Sequence, residues 1–407
     1  MICRTCRSTN TYLFLSLGLH PPANAFLTER QRKRPAAAFP LDIYTCLDCG
    51  LIQVKNVIPA GFFRNYVYIP SASDMMIDHF SNLAKELVRR FKLTHGSLVV
   101  DIGSNNGTFL RNFRASEIRI VGIEPASNLA RVARRHGVPT VNEYFSPKTA
   151  TKVRRRHGPA AVIVTTNTFN HIDDLHEFME GVVTLLDDEG SFVIEVPHAL
   201  DLVEKNEFDT VYHEHLSQFT VKSIAGIFAT FEMEISDVGS LSIHGGSMRV
   251  YGRKRSRAAR VTGAATEWIA REEAAGLYAR STYREFAKRV RENKRKLWTI
   301  LKAVKRARRR IVGYGAPAKG NTLLNYYGIG PDTLDYLVDR SPLKHGLFSP
   351  GMRIPIFPVE RILEDQPDYL LLLAWNFADE ILSQQKEYLR RGGKAIIPIP
   401  EPRVVDS

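Results

Sequence analysis

All four cysteines of the 407-residue chain fall within its first fifty positions, as two C-x2-C pairs, Cys3 with Cys6 and Cys46 with Cys49. Each pair suits a tight turn that presents two thiolates to one side of a tetrahedral ion, and Zn²⁺ accepts four such ligands. Segments far apart in the chain must then meet at one point, which predicts a small metal-knit N-terminal domain. Four thiolates leave no open coordination position, so this zinc is expected to hold structure and not to catalyse. Cysteines restricted to metal spacings also fit a reducing compartment.

The length exceeds one ordinary hydrophobic core, and 44% hydrophobic with 24% charged residues describes a globular chain of two or three domains. No run of eighteen apolar residues occurs, and the N-terminus opens on Cys3 and Cys6 instead of a charged-then-apolar leader. A cytoplasmic protein without a membrane partner is the expectation. The net charge of +13 favours anionic partners without choosing among them. Much of it sits in three runs, Lys152 to Arg156, Arg253 to Arg260 and Arg289 to Arg310, with a short basic loop from Arg30 to Pro35. The third run has Trp298, Leu301 and Val304 at core spacing, which predicts a helix with a solvated basic face.

Leu98 to Ile102 is a short apolar run followed by Gly103-Ser104-Asn105-Asn106-Gly107 and a helical pattern from Thr108. Strand, glycine turn and helix in that order open a doubly wound α/β sheet, in which ligands sit at the carboxyl ends of strands. Asp101 ends the strand, and Gly103 and Gly107 allow a ligand close to the backbone. A second strand from Ile118 to Ile123 ends in Glu124, where an acid can accept hydrogen bonds from ribose hydroxyls. Strands from Ala161 to Thr166 and Phe192 to Val196 follow, with Asn167, His171 and His198 at or beyond their ends. The region from Ala258 to Arg309 reads as a helical connector. Arg310 to Tyr314, the turn to Gly320 and a helix from Asn321 form a second strand–turn–helix unit, with Leu334 to Val338 and Asp339 as its next strand. Such a turn cradles a diphosphate with backbone N–H groups, and Lys319 adds a positive charge.

D-I-G-S-N-N-G is closer to the first motif of class I methyltransferases than to G-x-G-x-x-G. Together with it, Y-V-Y-I-P-S-A-S from Tyr66, N-H-I-D-D-L-H from Asn170, E-V-P-H from Glu195, F-D-T-V-Y-H-E-H-L-S from Phe208, H-G-G-S-M-R-V-Y from His244 and G-Y-G-A-P-A-K-G-N-T-L-L from Gly313 stand in order along the chain. With the cysteine pairs, they resemble the zinc-containing sugar C-methyltransferases that act on dTDP-linked 4-keto-deoxysugars. The resemblance implies a zinc-binding domain over 1–60, an S-adenosylmethionine-binding class I sheet over 61–252 and a C-terminal Rossmann-like nucleotide-sugar domain over 253–407. It implies C-3 as the methylated carbon, a monomer or weak oligomer, and no nucleic-acid partner. Cys3, Cys6, Cys46 and Cys49 fall on zinc ligands, and Asp101, Gly103, Asn105, Gly107, Glu124 and Asn167 on the cofactor side. His215, Tyr212, Glu214, His171 and Tyr66 fall on the catalytic side, and His198, Tyr68, Lys319 and Asn321 on the sugar nucleotide. The family turn reads S-N-D-G where this chain has Asn106, and an aromatic follows H-L-S where it has Gln218, which would mark a changed sugar pocket.

Methylation at carbon needs a carbanion equivalent, which a ketone provides by acidifying the adjacent C–H. Neutral histidine suits the proton removal, because its ordinary pKa of about 6.5 lies near working pH. A hydroxyl or imidazolium suits the enolate oxygen. His215 is read as general base, Glu214 as the group orienting a histidine, and Tyr212 with His171 as neighbours of the enolate oxygen, the roles being exchangeable. Three other readings stay open: an RNA or DNA methyltransferase gripping phosphates with its basic runs, a sugar O- or N-methyltransferase, and a non-enzymatic nucleotide-sugar-binding protein.

Overall fold

The computed structural model describes residues 1–64, 74–255 and 263–406. Three sheets organise them. The first is antiparallel, Thr11–His20, Phe39–Cys46 and Ile52–Val54, and its fourth strand, Ser217–Gln218, arrives from far along the chain to pair with Ile52 and Gln53. The expected boundary at 60 therefore cuts through this sheet, since its last strand belongs to the sequence after H-E-H.

The second sheet has seven strands. In spatial order they are Met233–Leu241, Ser247–Lys254, Leu186–Pro197, Ala160–Thr166, Leu98–Ile102, Arg119–Ile123 and Thr140–Val141. The last five run parallel, and Ser247–Lys254 is antiparallel to both of its neighbours. The strands with near-continuous Val and Ile are buried on both faces, as parallel sheets require. Leu98–Ile102 sits where the chain order reverses, so the crevice for a ligand lies beyond Ile102. The helix expected from Thr108 is a 3-10 helix, Leu110–Ser116. Its tighter winding has a local cause: the Asn112 side-chain amide donates to the carbonyls of Thr108 and Phe109 at 3.1 and 2.9 Å, competing for acceptors that an α-helix would use.

The third sheet, Ile356–Phe357, Leu337–Val338, Ile311–Tyr314, Tyr369–Leu372, Lys394–Ile397 and Arg403–Val405, is parallel except for its last strand. The connector forms two helices, Gly263–Ala274 and Arg280–Arg306; the second buries Leu297, Leu301 and Val304 with Trp298 half-buried, and most of its basic side chains face water while Arg289 and Lys294 bond the carbonyls of Val203 and Tyr326. One hydrophobic cluster runs from Phe14, Leu15, Leu41 and Ile43 of the first sheet through Tyr283 and Phe286 to Ile311 and Leu371 of the third. Among the described residues no helix is long and apolar enough to cross a membrane.

The first sheet also carries an acid-labile element. His20 is buried with Nε2 3.0 Å from the Leu17 carbonyl, and burial pushes its pKa down to about 4, with His213 adding repulsion. Between pH 6.5 and 4 the unfolded chain therefore binds a proton that the folded chain refuses, so stability falls as pH falls through this window. We expect the thermal midpoint measured by calorimetry to drop on acidification, and His20→Gln to remove about 2–3 kcal/mol of that loss.

Candidate functional site

A cavity of about 430 Å³ opens beyond the carboxyl ends of the central strands and is closed on its far side by the third sheet. Asp101, Gly103, Asn105, Glu124 and Asn167 line one end, His171, Tyr212 and His215 its middle, and Lys319, Asp339, Arg340 and Lys344 the other. Most of the residues expected from the motifs thus meet around one space.

At the first end, Gly103 (φ +80) and Gly107 (φ +79) take left-handed conformations that bend the chain back after the strand. Glu124 accepts the backbone N–H groups of Asn105 and Ala126, each at 2.8 Å, which leaves each oxygen a second lone pair. Asp101 is buried, its Oδ1 has no hydrogen-bond partner among the described residues, and burial with the nearby Glu124 and Glu195 pushes its pKa up to about 8. The Ser104 hydroxyl is likewise unpartnered. An orphaned acid, a free hydroxyl and a second acid at a strand end fit a cationic ligand that carries ribose hydroxyls, as S-adenosylmethionine does. A Cβ on Gly103 would stand 2.1 Å from Thr168 Oγ1 in a backbone region that L-residues avoid. Gly103→Ala is therefore expected to weaken S-adenosylmethionine binding about tenfold or more, read by calorimetric titration.

The middle of the cavity is built by the F-D-T-V-Y-H-E-H segment. A turn in which the His215 N–H donates to the Tyr212 carbonyl at 2.8 Å brings both side chains to one side, in place of the alternation a strand would give. The Tyr212 hydroxyl lies 2.7 Å from His215 Nε2, the rings stack at 4.1 Å, and His215 Nδ1 is 3.0 Å from the Thr210 carbonyl. A carbonyl can only accept, so Nδ1 carries the proton and Nε2 presents its lone pair. His171 approaches edge-on with ring centroids 4.9 Å apart, and burial pushes its pKa down to about 4, so it stays neutral.

Several expectations are corrected. Both Glu214 oxygens reach the backbone and side-chain amides of Asn24, and the group that meets His215 Nδ1 is the Thr210 carbonyl. His198 lies outside the cavity, because its ring is buried between Glu272 at 2.9 Å and Asp201 and covered by Trp268. Asn321 also lies outside, its amide holding the Ala23 carbonyl at 2.8 Å. Gln218 is buried in its strand and does not itself line the cavity; its amide reaches the carbonyl of Thr210, which does, at 3.5 Å. Tyr66 and Tyr68 fall outside the described residues. Sequence reasoning missed Asp209, Trp375 and Glu207, which form a buried cluster beside Lys319.

The four cysteine sulfurs lie within 4.8 Å of one another, with Cys3–Cys49 and Cys6–Cys46 at 3.6 Å. Zn–S bonds of about 2.3 Å in a tetrahedron separate sulfurs by about 3.8 Å, so the quartet fits zinc. The knuckle around it grips the segments that follow His171 and His215. Arg4 pairs with Asp173 at 3.0 Å, His176 Nε2 meets the Thr5 carbonyl at 2.9 Å, and the Val54 N–H donates to Leu216 at 2.9 Å.

The reversed hairpin at one edge of the seven-stranded sheet, with a glycine turn and an acid at the switch point, defines a class I S-adenosylmethionine-dependent methyltransferase. Models of a zinc binding domain, a methyltransferase domain and a C-methyltransferase C-terminal domain match residues 3–62, 76–237 and 242–400. The chain is 38% identical over 406 residues to the C-methyltransferase NovU of Streptomyces niveus, covering 100% of this chain and 97% of that one. It belongs to this C-methyltransferase family. Among solved structures it is similar to magnesium protoporphyrin IX methyltransferase of Synechocystis PCC 6803 with bound SAH (14% identity, 44% of this chain, 83% of that one, TM-score 0.36). It is also similar to the plantazolicin methyltransferase BpumL in complex with SAH (12% identity, 45% and 90%, TM-score 0.32).

Proposed function

We propose that the chain methylates C-3, the carbon beside the ketone, of a dTDP-linked 4-keto-deoxysugar through an enolate. The observation that carries this reading is the Tyr212–His215 pair. A histidine whose tautomer is set by the Thr210 carbonyl aims a lone pair into the cavity that also contains the cofactor turn and a lysine. His215 Nε2 takes the proton from carbon, and the Tyr212 hydroxyl, released from Nε2 as substrate enters, donates to the enolate oxygen. The neutral His171 beside them adds no positive charge that would lower the basicity of His215. Bound S-adenosylmethionine supplies an electrophilic methyl group on a sulfonium. Asp101 and Glu124 hold the donor's polar groups, and the Lys319 end of the cavity takes the nucleotide phosphates, so the chain aligns the two reactants.

Incubating the full, zinc-loaded chain with S-adenosylmethionine and a dTDP-4-keto-deoxysugar in heavy water tests this. We expect deuterium at the carbon beside the ketone in sugar not yet methylated, and in the product a methyl group in place of that hydrogen. A methyl group found on oxygen or nitrogen, without exchange, would refute the enolate reading.

A further inference from the structure

Between the middle of the cavity and the third sheet lies a charged cluster that the proposed chemistry does not use. The short turn Phe208–Thr210 places Asp209 at full burial, where Oδ2 accepts the indole N–H of Trp375 at 2.8 Å. Its other oxygen has no hydrogen-bond partner among the described residues, and neither has Nζ of Lys319. Lys319 stands 4.5 Å from the centroid of the Trp375 ring, and the fields of Asp209 and Glu207 favour its charge against the cost of burial. Burial pushes the pKa of Asp209 up to about 6 and that of Glu207 up to about 8, and in both cases Lys319 opposes the shift. A carboxyl taken from water with half its acceptors unmet is costly, so its single bond to Trp375 fixes the turn firmly or not at all.

The next residue gives this cluster its consequence. The Thr210 carbonyl, one peptide unit from Asp209, is the group that accepts His215 Nδ1–H. Trp375 and Lys319 belong to the third sheet's module, and Lys319 lines the end of the cavity away from the cofactor turn. We propose that Asp209 is a positioning residue: gripped by Trp375 and facing Lys319, it holds the Phe208–Thr210 turn so that the wall receiving the anionic half of the substrate sets the aim of His215 Nε2. This inference rests on His215 being the base.

The test uses the full, zinc-loaded chain and the heavy-water exchange of the keto-sugar, with saturation curves for wild type, Asp209→Ala, Asp209→Asn and Trp375→Phe. Asp209→Ala is expected to lose about 10- to 100-fold in kcat for exchange with KM changed by less than about threefold, since a misaimed base costs rate more than binding. Asp209→Asn keeps an oxygen for the indole N–H and should recover to within about threefold of wild type. Trp375→Phe removes the donor, leaves Asp209 in place and should lower kcat in the same direction. Nitrogen-15 spectra of the His215 ring read the cause directly: the Nδ1–H form dominates in wild type and loses population in Asp209→Ala. Exchange by Trp375→Phe at the wild-type kcat, losses carried wholly by KM, or an unchanged His215 tautomer in Asp209→Ala would each overturn the proposal. A wild type that does not exchange at all would overturn the His215 reading as well, so the two failures are distinguishable.

Discussion

His215→Ala is expected to lower deuterium exchange at the carbon beside the ketone by about 10²- to 10⁴-fold, the range a positioned general base contributes, and to leave binding of S-adenosylmethionine unchanged. The size of the effect follows from the geometry. Thr210 holds Nδ1–H, Tyr212 meets Nε2 at 2.7 Å, and no second imidazole occupies that place, because His171 touches the pair only edge-on. Cofactor affinity is insulated because Asp101, Gly103 and Glu124 stand on the strand ends of the second sheet, whereas His215 stands on the segment leading into the first. Tyr212→Phe keeps the stacked ring and loses only the hydroxyl, so its loss is smaller and lies in the enolate step. Stopped-time mass spectrometry of the sugar, with calorimetric titration of the cofactor, checks both halves. Wild-type exchange by His215→Ala would move the base to Tyr212.

The strands were legible where the sequence is locally unambiguous. Leu98 to Ile102 is a strand at those very residues, and Arg119–Ile123 and Ala160–Thr166 differ from the expected limits by one residue, because runs of Val and Ile before a glycine or an acid serve only a buried parallel strand. The cysteine quartet was legible because metal geometry demands its spacing. What stayed hidden depends on partners far away in the chain. Glu214 is bound to Asn24, His198 is taken out of the cavity by Glu272, and Asn321 is claimed by Ala23, none of which a local motif reports. Asp209 went unread for the same reason, since nothing near it in sequence announces Trp375. Nor does the local sequence announce the turn that brings Tyr212 and His215 together, where a strand's alternation would part them.

Removing the zinc is expected to reach further than the first sheet. Structural zinc in small peptides contributes about 10–16 kcal/mol of folding free energy, far more than a small antiparallel sheet can replace. Both loops that carry His171 and His215 hang on this module. Arg4 and Thr5, inside the first knuckle, hold Asp173 and His176 just after His171, and Ile52 and Gln53, just after the second, pair with Gln218 and Ser217 just after His215. The Thr220 hydroxyl is bound to the carbonyl of Cys49 itself at 2.6 Å. Treatment with a strong chelator, or Cys49→Ala, is therefore expected to strip hydrogen-exchange protection from the first sheet and from residues 170–176 and 213–218. The amides of Leu98–Ile102, buried between two parallel neighbours, should stay protected, and cofactor affinity should change less than about tenfold because its pocket is built on those strands. Exchange of the substrate's C–H should be lost with the loops and return when zinc is restored to the chelated chain. If the loops keep their protection without metal, the zinc domain is an appendage and the coupling through Arg4 and Gln53 is wrong. If the Leu98–Ile102 amides open together with the loops, the first two sheets unfold as one unit, and the shared packing of Cys3 and Cys49 with Phe169, Phe219 and Val221 outweighs the independence of the central sheet.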